Sequence, residues 1–115
     1  LMTVAFVGSG KFLNERPEVA ERFALALLDA ARLMQGDDFL SEANVDSYLT
    51  FVSSTPEAVA GDALLVFDPN QEIPVADLAD VERTHPEYTT ELDLSNVVNT
   101  EFTEWALEVL GAYGE

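Results

Sequence analysis

Apolar residues at the start of the chain form a short continuous run that ends in glycine. The run occupies residues 3–7 and is followed by Gly8, Ser9 and Gly10. Such a run is typical of a β-strand that is covered on both faces. Because glycine adopts backbone conformations closed to other residues, the chain can turn sharply out of a sheet here. The pattern predicts an opening strand over residues 3–7 and then a short helical turn over residues 11–15.

The next pattern is an apolar stripe at helical spacing that begins at Pro17 and ends near Gly36. Proline is favoured in the first turn of a helix, where its missing N–H would have no partner. Further leucines widen the stripe until the middle turn is apolar nearly all round. A helix of this kind is buried on more than one side. We expect it to be the main source of stability, with Phe23 and Leu27 in the core.

Start and stop signals predict four further helices, which cover residues 39–52, 56–64, 75–84 and 101–112. Short polar residues cap helix starts, and the residue before proline avoids the helical region. A turn is predicted at residues 68–70, and residues 88–98 are predicted to be irregular. The residues expected to cap or end the four helices are, in chain order, Asp37 with Asp38, Thr55, His85 and Thr100.

The charge of the chain is strongly acidic. Its 115 residues carry 22 acidic and 5 basic side chains, a formal net charge of −17. Nucleic acid and anionic membranes are poor partners, because phosphate contacts need clustered Lys and Arg. Two interpretations stay open, a strongly solvated surface and an adaptation to high salt. Cysteine is absent, which excludes disulfides and thiolate chemistry.

Candidate reactive residues are few and fall into structural patterns. His85 precedes a proline, and Asp37 with Asp38 precedes a helix. The stretch 68–72 lacks the ligand spacing and central glycine of a calcium loop. Gly8-Ser9-Gly10 lacks the full glycine fingerprint of a phosphate loop. By residue chemistry alone the chain is a non-enzyme domain of helices around one strand, and we predict no catalytic residue, metal or cofactor.

Three stretches, in order, resemble one protein family. They are residues 4–23, residues 66–81 with their Phe67-Asp68-Pro69-Asn70 turn, and residues 97–111 with Asn99-Thr100-Glu101 before the last helix. Together they are similar to the late part of substrate-binding proteins of ABC importers, in the branch for nitrate, sulfonate, taurine and thiamine precursors. The family more often carries Asp where Asn99 stands, a departure that leaves the cap intact.

This resemblance implies an α/β fold, the two-lobed type 2 periplasmic-binding-protein fold. Residues 1–115 would be a single domain or the C-terminal fragment of it, with one opening strand and about five helices. The implied function is a solute receptor outside the cytoplasm, periplasmic or tethered to the cell surface. Its partners would be a small organic or anionic solute, bound with the missing lobes, and the importer's permease. Gly8 and Ser9 would lie nearest the ligand cleft.

Two other classes of function stay open. One is a metabolic enzyme on the same scaffold, as in the thiamine-precursor branch, with its chemistry upstream of this chain. The other is a freestanding acidic helical domain that binds proteins. If the chain is a fragment, it exposes apolar surface where the missing segments packed, so we expect it to self-associate.

Overall fold

The computed structural model describes residues 5–61, 66–85, 87, 90 and 93–114. Helices make up 66% of this part of the chain, which confirms the mostly helical character predicted from the sequence. Two 3-10 helices, Gly36–Leu40 and Leu94–Asn96, lie before the third and the last α-helix. Within the described residues the α-helices are α1 (Gly10–Glu15), α2 (Pro17–Leu33), α3 (Glu42–Phe51), α4 (Pro56–Gly61), α5 (Val75–Thr84) and α6 (Glu101–Leu110).

Local start and stop signals set most of the helix ends. Pro17 occupies the first turn of α2, and α5 spans the predicted residues 75–84. Thr55 caps α4, because its Oγ1 accepts a hydrogen bond from the Ala58 N–H at 3.2 Å. Gly111 ends α6 with a φ of +75°, a conformation that favours glycine. Residues 62–64 of the predicted third helix, and Pro86 after His85, lie outside the described residues.

The predicted opening strand is not found among the described residues. Ala5, Phe6 and Val7 have no regular secondary structure, and residues 3 and 4 lie outside the described part. Phe6 and Val7 are 67% and 94% exposed, whereas the sequence predicted a strand with both of its faces covered. A strand needs a neighbouring strand to satisfy its backbone hydrogen bonds, and the described residues supply none. The α/β architecture therefore remains an expectation from the resemblance.

The segment between α2 and α3 corrects two further predictions. The long helix ends at Leu33 rather than near Gly36. Asp37 and Asp38 lie inside the 3-10 helix and do not cap α3. Ser41 caps it instead, since its Oγ accepts a hydrogen bond from the Asn44 N–H at 3.4 Å. The predicted start at residue 39 was wrong because a 3-10 turn took up the apolar residues before the true cap.

Thr100 also differs from its predicted role at the start of α6. Its side chain makes no capping hydrogen bond to the backbone and donates to Glu104 Oε1 at 2.7 Å. The neighbouring Asn99 Oδ1 accepts the Glu101 N–H at 2.9 Å. The cap of α6 is therefore shifted by one residue from the predicted position.

The core lies between α2 and α6. These two helices pack on each other, and α1 packs on α2. The buried apolar side chains in the described residues are small apart from Leu28, and they are Ala20, Leu28, Ala31 and Ala106. Phe23 is 52% exposed and Leu27 is half-buried, so the predicted place of Phe23 in the core was wrong. The apolar pattern predicted burial of α2 on more than one side, whereas one side of it stays exposed in the described structure.

Arg32, in the last turn of α2, connects three segments of the chain. Its Nε donates to the Pro69 carbonyl at 2.9 Å, and its Nη2 donates to the Gly111 carbonyl at 2.5 Å. A longer contact of 3.4 Å reaches Asn70 Oδ1, which also accepts the Tyr113 N–H at 2.9 Å. A cation at the C-terminal end of a helix is favourable, because the carbonyl groups there are partly negative. Arg32 therefore holds the 68–70 turn and the end of α6 against α2.

A second contact fixes the segment that precedes this turn. Gln35 Nε2 donates to the Phe67 carbonyl at 2.9 Å and to the Ala31 carbonyl at 2.7 Å. The rings of Phe39 and Phe67 stack with their centroids 6.1 Å apart. The predicted turn at residues 68–70 is confirmed, and Asp68 closes it by accepting the N–H groups of Asn70 and Glu72.

The chain exposes more surface than a compact protein of its mass. Its accessible surface is 8735 Å², compared with about 6,200 Å² for a compact folded chain of this size. Its radius of gyration is 16.7 Å, compared with about 13 Å for a compact domain of this length. Apolar surface that a compact protein would bury is left in contact with water.

The different burial of Leu28 and Phe23 gives a direct test of which side of α2 lies in the core. We expect Leu28→Ala to lower the free energy of unfolding by about 2–5 kcal/mol, because it opens a cavity at a fully buried position. Phe23→Ala should cost less than Leu28→Ala, since about half of its ring already meets water. Urea unfolding followed by circular dichroism, at low protein concentration, measures both. Equal losses would mean that another part of the chain covers Phe23.

Arg32 gives a second test. Arg32→Gln should lower the free energy of unfolding by about 2 kcal/mol, because hydrogen bonds to a charged group are worth more than neutral ones. The matched control is Arg16→Gln, which removes the same charge from an exposed residue whose side chain makes no capping hydrogen bond. It should change stability by less than about 0.5 kcal/mol. Equal effects of the two variants in urea unfolding would show that the loss of a positive charge, and not the loss of the Arg32 contacts, lowers the free energy of unfolding.

Candidate functional site

A groove of about 490 Å³ lies between the α1–α2 junction and α6. Four glutamates and two aromatic residues give it its character, and Leu13 and Pro17 also line it. We call it the acidic groove and define it by Glu21, Glu101, Phe102, Glu104, Trp105 and Glu108. Phe102 and Trp105 are half-buried, whereas the three glutamates of α6 are exposed. The groove therefore has an apolar floor and an acidic rim.

The local sequence explains why these side chains meet. Three residues follow Glu101 at helical spacing: Glu104, Trp105 and Glu108 come three, four and seven positions later. The four side chains therefore share one face of α6. Glu21 comes from α2, which packs on α6. This spacing is present in the sequence, but no site was predicted from it.

The electrostatics of the groove favour one sign of charge. Its rim carries four carboxylates, and no Lys or Arg belongs to the described residues that line it. An aromatic ring such as that of Trp105 also attracts a cation over its face. The groove is complementary to a positively charged group with an apolar part, and it repels anions.

Gly8 and Ser9 are not among the residues that line this groove. Ser9 caps α1, because its Oγ accepts the Phe12 N–H at 3.2 Å. A side chain at Gly8 would approach Leu13 Cδ2 to 3.1 Å, so Gly8 packs against a residue that lines the groove. Both residues are exposed. Their local roles are structural, and ligand contact by them stays a prediction.

The other candidate residues are dispersed over the surface. His85 is exposed at the end of α5, where its Nδ1 accepts the Glu87 N–H at 3.2 Å. Asp37 and Asp38 are exposed in their 3-10 helix, and the carboxylate of Asp68 is used by its own turn. Over residues 5–61, 66–85 and 93–114, no three acidic or histidine side chains form a group that could hold a metal ion.

The second surface feature is an exposed apolar face on α2, opposite the side that packs on α6. Its members are Val19, Phe23, Ala26, Ala30 and Leu33. At 100° per residue, these five side chains fall within an arc of about 80°. Val19, Phe23 and Leu33 are 38%, 52% and 58% exposed. We call these five residues the outer face of α2, and all of them are exposed. Phe6 extends it, since its ring meets that of Phe23 edge to face with centroids 5.7 Å apart.

Comparison with known proteins adds no family assignment. No protein-family model, no curated protein and no solved structure matches this chain. In the described part of the chain, no helix combines the length and the apolar character that a membrane crossing requires.

The acidic surface predicts a dependence of stability on salt. The melting temperature should rise as sodium chloride increases from about 0.02 M to about 1 M, because ions screen the repulsion among carboxylates. Replacing Glu101, Glu104 and Glu108 together by Gln should raise the melting temperature at low salt and reduce this dependence. Thermal unfolding at low protein concentration measures both effects. A melting temperature that is constant or falls with salt would contradict the prediction.

Proposed function

We propose that this chain is a freestanding acidic helical module, without catalytic chemistry of its own, that binds another polypeptide. One observation carries this proposal, the exposed outer face of α2. A helix whose middle turn is apolar nearly all round is typical of one buried on more than one side, yet the outer face of α2 stays exposed beside its contacts with α6 and α1. Contiguous exposed apolar surfaces mark interaction sites in soluble proteins. The large accessible surface of the chain agrees with a protein that completes its core by binding.

The acidic character of the chain suits this role. A net charge of −17 keeps a protein with a large apolar surface soluble when its partner is absent. On α2 itself, only a narrow strip of charged side chains borders the outer face, formed by Glu18, Arg22 and Asp29. The apolar face is thus continuous over the length of the helix and is edged with charges that can orient a partner.

A second candidate function is the solute receptor of an ABC importer, and the ordered resemblance of three stretches supports it. In that case the outer face of α2 would pack on the rest of the first lobe. The solute would be bound with the upstream lobes, the permease would be the partner, and the protein would act outside the cytoplasm. Gly8 and Ser9 would be the residues of this chain nearest the solute.

We rank the interaction module first for two physical reasons. The segment expected to form the re-entering strand is exposed and unpaired at Ala5, Phe6 and Val7. The acidic groove, a concave site among the described residues, has a charge that opposes nitrate and sulfonates. In the receptor, the strand partners of this segment and most ligand contacts would lie in the upstream lobes, so solute binding has to decide between the two functions.

Calorimetry on this chain, together with a longer protein that contains it, tests the ranking. We titrate it with nitrate, taurine, an alkyl sulfonate and a pyrimidine precursor of thiamine, and we expect affinities no better than millimolar. The reason is that a receptor holds its solute between two lobes, and one surface alone binds weakly. A stoichiometric micromolar site for one of these solutes would overturn the interaction module. Micromolar binding by a longer protein that contains this chain, with none by the chain itself, would favour the receptor.

A further inference from the structure

The outer face of α2 has the spacing of a helix-pairing surface. Its members follow one another at intervals of four, three, four and three residues. This alternation is the repeat by which two helices pack side by side in a coiled coil. From Val19 to Leu33 the face is about 21 Å long, at 1.5 Å per residue. The occupant that fits such a face is another helix.

The sizes of the side chains complement each other when the face is turned onto itself. Large residues lie at its N-terminal end, Val19 and Phe23, and two alanines follow, Ala26 and Ala30. In an antiparallel pair of α2 helices, the register that sets Phe23 opposite Ala26 of the second copy also sets Val19 opposite Ala30. Val19 and Phe23 then each meet an alanine, as knobs meet holes in helix pairing, whereas Leu33 lies opposite Arg16, just before the second α2 begins.

The charges beside the face complement each other in the same register. Arg22 and Asp29 each precede a position of the face, Phe23 and Ala30, and both are exposed. These are the flanking positions that meet across an antiparallel pair of helices, so Arg22 lies near Asp29 of the second copy. The two-fold axis repeats the contact, as in any closed dimer of identical chains. One register thus sets Val19 and Phe23 against alanines and Arg22 near Asp29.

We propose that two copies of this chain pair in antiparallel orientation through the outer faces of their α2 helices. The inference rests on the proposed function and names its partner as a second copy. The net charge of −17 on each chain opposes pairing, but salt screens it beyond about 8 Å at physiological ionic strength. Arg22 places a cation at the interface of a chain that has only 5 basic residues.

Sedimentation equilibrium on the wild-type chain and three variants tests the pairing. The wild type should form dimers in the micromolar range. Arg22→Asp and Asp29→Arg should each weaken the dimer by about tenfold or more, because each sets like charges opposite one another. The double variant Arg22→Asp/Asp29→Arg restores the pair with its charges exchanged, and we expect its dissociation constant within about threefold of the wild-type value.

The sign of the Asp29→Arg effect separates a specific pair from general repulsion. Asp29→Arg makes the chain less acidic, so repulsion alone predicts a tighter dimer, whereas the proposed contact predicts a weaker one. The matched control is Asp77→Arg, which makes the same charge change at an exposed residue of α5 and should not weaken the dimer. Circular dichroism of each variant at low concentration checks that it folds.

Three outcomes would overturn the self-pairing. They are a wild-type chain that stays monomeric at high micromolar concentration, a dimer that Asp29→Arg leaves intact or strengthens, and a double variant that does not recover. None of these decides the proposed function, because the solute titration tests that separately. A monomeric chain that also binds no solute would leave the interaction module in place and exclude a second copy as its partner.

Discussion

The fold depends on one guanidinium group, that of Arg32. The described residues contain few large buried side chains, so helix packing alone gives a thin core between α2 and α6. Arg32 adds bonds to carbonyl groups at Pro69 and Gly111, which are 37 and 79 residues away along the chain. The Tyr113 ring lies 5.8 Å from the guanidinium and covers it. This single side chain joins the end of α2, the 68–70 turn and the end of α6.

The same helix separates two kinds of surface. Its inner side meets α6, and the acidic groove opens where the two helices and α1 meet. Its outer side is apolar and exposed over most of the helix length. The two surfaces therefore differ in what they can bind, because the groove attracts cations and the outer face offers apolar contact. A partner helix and a cationic ligand would use different sides of the molecule without competing.

Local rules predicted the helices well and the packing less well. Proline at the first turn placed the start of α2, the Thr55 cap placed the start of α4, and the residue before Pro86 placed the end of α5. Periodicity showed that Phe23 and Leu28 belong to apolar stripes, but it cannot show which stripe is covered, since this depends on contacts distant in sequence. The predicted strand is not found in the described residues for the same reason. Phe6 and Val7 are residues typical of a strand, but no neighbouring strand is described with which they could pair. The sequence predicted no role for Arg32, because its partners at Pro69 and Gly111 are distant along the chain.

The contacts of Arg32 have a consequence for how this protein tolerates sequence change. Main-chain carbonyls are present whatever side chain a residue carries, so most substitutions at Pro69 or Leu110 leave the acceptors of Arg32 in place. The constraint falls on few residues: Arg32 itself, Asn70 with its side-chain oxygen, and Gly111 with its left-handed backbone. Chains that keep these three residues can diverge widely around them and still keep the same three-way junction. Relatives that retain it can therefore differ from this chain over most of their length.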